Sequence, residues 1–233
     1  MDRTDEREKR KRRRRIQNAA IWGIAILVMA AGIWLILSLM PKEEMEVSVT
    51  IPETEKETET EQDVPSPDID IQLLTINDYS RPGEQVDAVE KIVIHYLANP
   101  MTTAQQNHDY FESLKDLQDV SMSANFIVGL DGEIVECVPP GEIAYASNSM
   151  NHLSISIENC HPDTTGKFTE ATYDSCVELT AYLVDHYGLG REDIIRHYDV
   201  TGKECPLYFV EHEDAWEQFK DDVMNYIEEC KEG

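Results

Sequence analysis

The chain has 233 residues, with 20 Lys+Arg against 46 Asp+Glu and a formal net charge of -26, a length that holds one domain, or one domain with appendages. So acidic a balance excludes general nucleic-acid binding, because phosphate contacts need a basic surface. The five cysteines, Cys137, Cys160, Cys176, Cys205 and Cys230, are odd in number, form no CxxC pair and are too few for a disulfide scaffold.

The basic residues gather at the start, where residues 1–15 hold nine Lys/Arg, including the run KRKRRRR at 9–15. From Ala19 to Met40 there are 22 uncharged residues, ending at Pro41, enough to span a bilayer as a helix. A basic block before this span and an acidic stretch after it predict an uncleaved signal anchor. Residues 1–18 are then a cytoplasmic tail, 19–40 a single membrane-spanning helix, and the rest lies outside the cell. A cleaved signal peptide would have a shorter apolar region and a small-x-small site after it, which is not evident here.

Residues 41–70 include ETEKETETEQDVPSPD (53–68). Rich in Glu, Thr and Pro and poor in large apolar residues, they predict a disordered, self-repelling linker. Such a coil spans roughly 30 Å on average and up to about 100 Å when stretched.

From residue 71 the pattern is globular. KIVIHY (91–96) is a short apolar run that reads as a buried strand. Thr103 to Asp116 reads as a helix, and ANFIVGLDGEIVECV (124–138) as a hairpin turning at Asp131-Gly132. SISIEN (154–159) alternates strictly, as a strand does. Thr169 caps a helix running to Tyr187, with Gly188 at its end. DIIRHYDV (193–200) leads into the loop TGKECP, and Trp216, Phe219, Val223 and Ile227 space a last helix. Strands mixed with helices predict an α/β domain over 71–233, a mixed central sheet flanked by helices.

Three residues stand out chemically. His95 ends the first strand, and His197 and Cys205 flank the loop HYDVTGKEC. Two imidazoles and a thiolate are good zinc ligands, and catalytic zinc sites often keep three protein ligands and one open position. On the alternating strand 154–159, Ile155 and Ile157 share one face while Glu158 points to the other with Ser154 and Ser156. An inward carboxylate on a core strand needs a partner or a function.

The segments IVIHYLANP, SANFIVGLDGEI, SISIEN and IIRHYDVTGKECP resemble the signatures of type-2 N-acetylmuramoyl-L-alanine amidases, relatives of phage endolysin amidases and peptidoglycan recognition proteins. The resemblance covers residues 80–215. It implies a zinc domain on a bacterial cell surface that hydrolyses the bond between the muramic acid lactyl group and L-alanine of peptidoglycan. By this resemblance His95, His197 and Cys205 match the three zinc ligands, the third being Asp in other members. Glu158 matches the acid/base glutamate and Lys203 the lysine two residues before the third ligand, placed to stabilise an oxyanion. Asn151, and with it Asn125, match positions near substrate.

The chain departs from the common pattern at Leu97, where Thr is frequent, and at Tyr145-Ala146, where Trp-His is common. It departs also at Ala124-Asn125, where phage members have Tyr-His with a catalytic tyrosine, so Glu158 has to carry that role alone. A non-catalytic module that binds muropeptides, or a wall anchor whose zinc only holds the loop, are the alternative readings. His108, His152, His161, His186 and His212 are expected at the surface. Cys160 and Cys176 could pair outside the cell, or Cys160 could sit near the site.

Overall fold

The computed structural model describes residues 63–232. The tail expected at 1–18, the membrane span expected at 19–40 and residues 41–62 of the expected linker lie outside the described residues. Within them no helix is long and apolar enough to cross a membrane.

Six strands form one mixed sheet in the order β1-β4-β3-β5-β2-β6. They are β1 (Ile69–Ile71), β2 (Lys91–Tyr96), β3 (Phe126–Val128), β4 (Ile134–Glu136), β5 (Ser154–Asn159) and β6 (Ile194–Arg196). Only β3 and β4 pair antiparallel; β2, β5, β3 and β6 run the same way. The helices are α1 (Ala104–Leu117), α2 (Glu170–His186), α3 (His197–Thr201), α4 (Leu207–Glu211) and α5 (Glu213–Glu232).

Period-two alternation sorts the strand residues into two cores. Ile92, Ile94, Phe126, Val128, Ile155 and Ile157 pack under α2 and α5, with Trp216, Phe219, Val223 and Ile227 of α5 buried as their spacing predicts. Ile127 and Val135 face the other way, under Phe111 and Leu114 of α1. Helix α1 starts in a capping box, with Thr103 Oγ1 accepting from the Gln106 amide and Gln106 Oε1 from that of Thr103. Helix α2 is tied to the β3–β4 hairpin at its start. Thr169 and Thr172 donate through Oγ1 to the carbonyls of Leu130 and Gly129, both at 2.8 Å. Gly132 is needed where they meet: its φ is +87°, and a Cβ would stand 2.7 Å from Ser175 Oγ.

The ordered domain begins earlier than composition indicates. Residues 63–70, read as linker, belong to the fold: Val64 is buried, its amide donates to Asp185 Oδ2 at 3.0 Å, and β1 pairs parallel with β4. Val64 and the first two residues of β1 anchor the stretch, too few to register against its Pro and Asp content.

The thiols of Cys160 and Cys176 are free, and they pack in different cores. His161 is buried rather than at the surface. Its ring lies against Tyr96 with centroids 5.1 Å apart, and Nδ1 meets the Asp163 carbonyl at 2.7 Å.

Asn125, expected near substrate, is wholly buried and braces the fold. Its Oδ1 accepts from the Ser156 amide at 2.9 Å, while Nδ2 faces the carbonyls of Val138, Pro139 and Glu142 at 3.1–3.3 Å. The side chain thus straps β5 to the segment after β4. Asn125→Ala strands several buried backbone groups, so it should lower stability by about 2–3 kcal/mol. A denaturant titration of metal-free protein measures this, and a loss under about 0.5 kcal/mol would refute the bracing role.

Candidate metal centre and cleft

The site sits at the carboxyl ends of the parallel strands, where open α/β sheets place ligands. His95 of β2 stands directly beside Glu158 of β5 in the strand register. Ile94 pairs with Arg196, the last residue of β6, so His197 follows the same sheet edge as the first residue of α3. Gly202 ends α3 in the left-handed conformation, φ +78°. The returning loop is then pinned by the Tyr198 amide on the Cys205 carbonyl at 2.9 Å.

Arg196 locks this corner. Its guanidinium bonds Asp199 at 3.0 Å, Glu213 at 2.7 Å and the Phe209 carbonyl at 3.0 Å. Asp199 also accepts from the Arg196 amide at 2.8 Å. Both oxygens of Asp199 are therefore committed, which removes it as a rival proton carrier.

His95, His197 and Cys205 are all buried, and one ligand atom from each lies within 4.8 Å of the others. Cys205 Sγ is 3.8 Å from His95 Nδ1, and the imidazole centroids are 4.7 Å apart. The outward nitrogens are both held. His95 Nε2 meets Ser147 Oγ at 3.1 Å, which meets Ser156 Oγ at 2.9 Å. His197 Nε2 donates to Asn148 Oδ1 at 2.9 Å. This leaves the two Nδ1 atoms, of which that of His95 is the one 3.8 Å from Sγ. His197 Nδ1 is buried without a hydrogen-bond partner, as is Glu158 Oε2. A buried acceptor without a partner is costly, and a cation between two imidazole nitrogens and a sulfur would satisfy it. The donor set fits zinc or another borderline-soft divalent ion.

The protonation states favour the same reading. Burial, then each other's proximity and Lys203, hold His95 well below the ordinary imidazole value; burial and Lys203 lower His197. Both rings are neutral, the form that ligates. The 3.9 Å approach of His95 Nδ1 to Glu158 Oε1 is therefore not an ion pair. Burial pushes the Cys205 thiol up to about 12, Glu158 adding to the rise, while the Tyr96 amide and Lys203 oppose it. Burial raises Glu158 to about 7, with Lys203 pulling the other way.

A sign follows for metal uptake. At pH 8 the histidines have no proton to lose and the thiol has one. Uptake should release about one proton, rising towards two below pH 7 as Glu158 becomes protonated in the metal-free protein, so affinity falls on acidification. Titration calorimetry in buffers of different ionisation enthalpy counts these protons; zero release at pH 8 would exclude the thiol as a ligand.

Beside these groups opens a cleft of about 350 Å3, with His95, Glu158 and His197 at its floor and Tyr145, Asn151 and Lys203 on its walls. Lys203 is exposed, yet its charge is felt by both histidines, Glu158 and Cys205. Asn151 spends its Oδ1 on the Ser147 amide at 2.7 Å. Ala124, at the position of the phage tyrosine, is buried in the α1-side core and offers no proton. Ser147 and Asn148 carry no signal in the sequence because they lie at a 3-10 turn (Asn148–Met150) without periodicity. Ser156 had a signal, the face it shares with Glu158.

Residues 85–207 match the family described as N-acetylmuramoyl-L-alanine amidase. The chain is 32% identical over 165 residues to the N-acetylmuramoyl-L-alanine amidase CwlL of Bacillus licheniformis, covering 65% of this chain and 45% of that protein. It is 30% identical over 171 residues to the amidase BlyA of Bacillus subtilis strain 168, covering 64% and 45%. The chain thus spans about half the length of these curated relatives. Among solved structures it superposes on PlyL with a TM-score of 0.59 at 21% identity, covering 67% of this chain and 97% of that one, a likeness of fold.

Proposed function

Because the chain belongs to the N-acetylmuramoyl-L-alanine amidase family, we propose that it uses zinc to hydrolyse the amide between N-acetylmuramic acid and L-alanine in peptidoglycan. The observation that carries this reading is the convergence of His95, His197 and Cys205 beside Glu158, whose buried carboxyl sits near 7. Zinc, when bound by those three residues, supplies a Lewis acid next to the scissile carbonyl and lowers the pKa of a water.

The protein's own groups do the rest. Glu158 stands in register beside His95 with one buried oxygen that has no hydrogen-bond partner among the described residues, placed to take a proton from water and return it to the leaving amine. Amine departure needs that proton, since an amide anion is a poor leaving group. Lys203 on the cleft wall can stabilise the developing oxyanion, a contribution typically worth about 3 kcal/mol. Buried Ala124 is the one observation favouring a module that binds muropeptides without cutting. Digestion of purified peptidoglycan with and without chelator, followed by mass analysis, separates the two. New L-alanine N-termini that vanish with chelator support the amidase; intact, bound peptidoglycan refutes it.

From the basic block and the uncharged run after it we further propose that the enzyme lies on the outer face of a bacterial membrane, tethered by residues 19–40 with the basic tail inside. Protease added to intact cells should release the domain and leave a short membrane stub. A mature protein starting near residue 41 in the medium would sink the anchor.

A further inference from the structure

The turn that carries Asn148 has two sides. Inside, Asn148 Oδ1 accepts from His197 Nε2 at 2.9 Å and Asn151 Oδ1 from the Ser147 amide at 2.7 Å. Outside, both residues line the cleft, and neither carboxamide nitrogen has a hydrogen-bond partner among the described residues. Asn148 is exposed although the ring it holds is buried. With φ of 52° it occupies the left-handed region, which Asn and Gly enter at low cost. The sequence thus places a short two-ended amide where the backbone turns back between the metal centre and the cleft.

We propose that Asn148 has two roles. Through Oδ1 it is a positioning residue that fixes the His197 tautomer and turns Nδ1 to the metal centre. Through Nδ2 it donates to a carbonyl or carboxylate oxygen of the substrate. The second role rests on the amidase reading above. The first follows from chemistry: an imidazole whose Nε2 carries the proton has its lone pair on Nδ1, and the groups that orient ligating histidines typically affect metal affinity about 10- to 100-fold. The second follows from the cleft wall, where the Asn148 and Asn151 amides and the Lys203 ammonium are all donors. Such a wall fits a ligand rich in acceptor oxygens, and an acylated muramyl peptide presents several carbonyls in a row.

Two variants of the full chain separate the roles. Asn148→Gly keeps the turn unstrained and deletes the amide. Asn148→Asp keeps an acceptor for His197 but replaces the outward donor with a carboxylate oxygen. Zinc affinity is read by competition with a chromophoric chelator, and kcat and KM with a soluble muramyl tripeptide. Asn148→Gly should weaken zinc about 10- to 100-fold and raise KM. Asn148→Asp should bind zinc within about threefold of wild type yet raise KM by about tenfold or more, with kcat less affected, as expected when ground-state contacts are lost. Wild-type zinc affinity in Asn148→Gly overturns the positioning role. Wild-type KM in Asn148→Asp overturns the donor role. A wild-type chain that binds zinc and leaves the tripeptide intact refutes the amidase reading and the donor role with it, while the zinc titration still decides the positioning role.

Discussion

Replacing Cys205 by alanine should cost the protein its metal and its activity together. The thiolate is the only anion among the three ligands, and among the described residues the carboxylate acting on it is Glu158, which burial keeps partly protonated in the metal-free protein. Zinc binding to closed protein sites is worth on the order of 10–16 kcal/mol over the whole ligand set. Losing one of three ligands should therefore weaken affinity by roughly 1,000-fold or more, with turnover falling below detection at micromolar zinc. The fold should survive: Cys205 belongs to a polar corner held by Arg196 and the Tyr198 amide, and removing one sulfur from a buried site costs about 1 kcal/mol. Cys205→Asp is the sharper variant. It restores an anionic ligand that, even with burial raising it as burial raises Glu158, ionises more readily than the thiol, so metal should return while the proton released at pH 8 falls. Metal analysis, chelator competition and a melt of metal-free protein check all three. A Cys205→Ala protein that holds about one zinc with near-wild-type affinity would remove Cys205 from the site.

The parts of the molecule legible in its sequence are those where a period or a long motif repeats one physical demand. Ile155 and Ile157 announced a core face and so placed Glu158 on the opposite one. Trp216, Phe219, Val223 and Ile227 announced α5 by helical spacing. His95, His197 and Cys205 were found by the resemblance of their surroundings, since spacing alone could not bring residue 95 next to residue 205. Contacts made by single residues in irregular backbone stayed hidden. Asn148 sits at a 3-10 turn, and nothing local to it shows that its partner is His197, 49 residues on. Asn125 is expected near substrate by the resemblance alone, with no physical signal of its own in the sequence. Only the structure shows its amide committed to Ser156 and to the loop after β4. Strand β1 begins inside an acidic window whose average hides two of its three paired residues.

Glu158→Gln should leave zinc content unchanged and reduce turnover by at least about 100-fold, the lower end of what general acid–base catalysis contributes. Ala124 has no proton to move, Asp199 has both oxygens tied to Arg196, and Lys203 is an exposed ammonium on the wall. Glu158 alone combines a place in register with His95, a side chain only 13% exposed, an oxygen without a partner and a carboxyl raised from 4.5 to about 7. Glutamine keeps the size and one carbonyl acceptor but neither takes nor returns a proton, so kcat and kcat/KM should fall together. Stability provides the control, and its sign is fixed by the raised pKa. The metal-free folded state holds the Glu158 proton more tightly than the unfolded chain. Its stability is therefore lost as pH rises from about 4.5 to about 7, and the penalty stays in full above that. Glutamine carries no such penalty. Metal-free Glu158→Gln should melt at or above the wild-type temperature at pH 8, with the difference closing towards pH 5. A fall in turnover alongside equal zinc and an equal or higher melting temperature assigns the proton to Glu158. Near-wild-type turnover in this variant would move that role to Lys203 or to a group on the substrate.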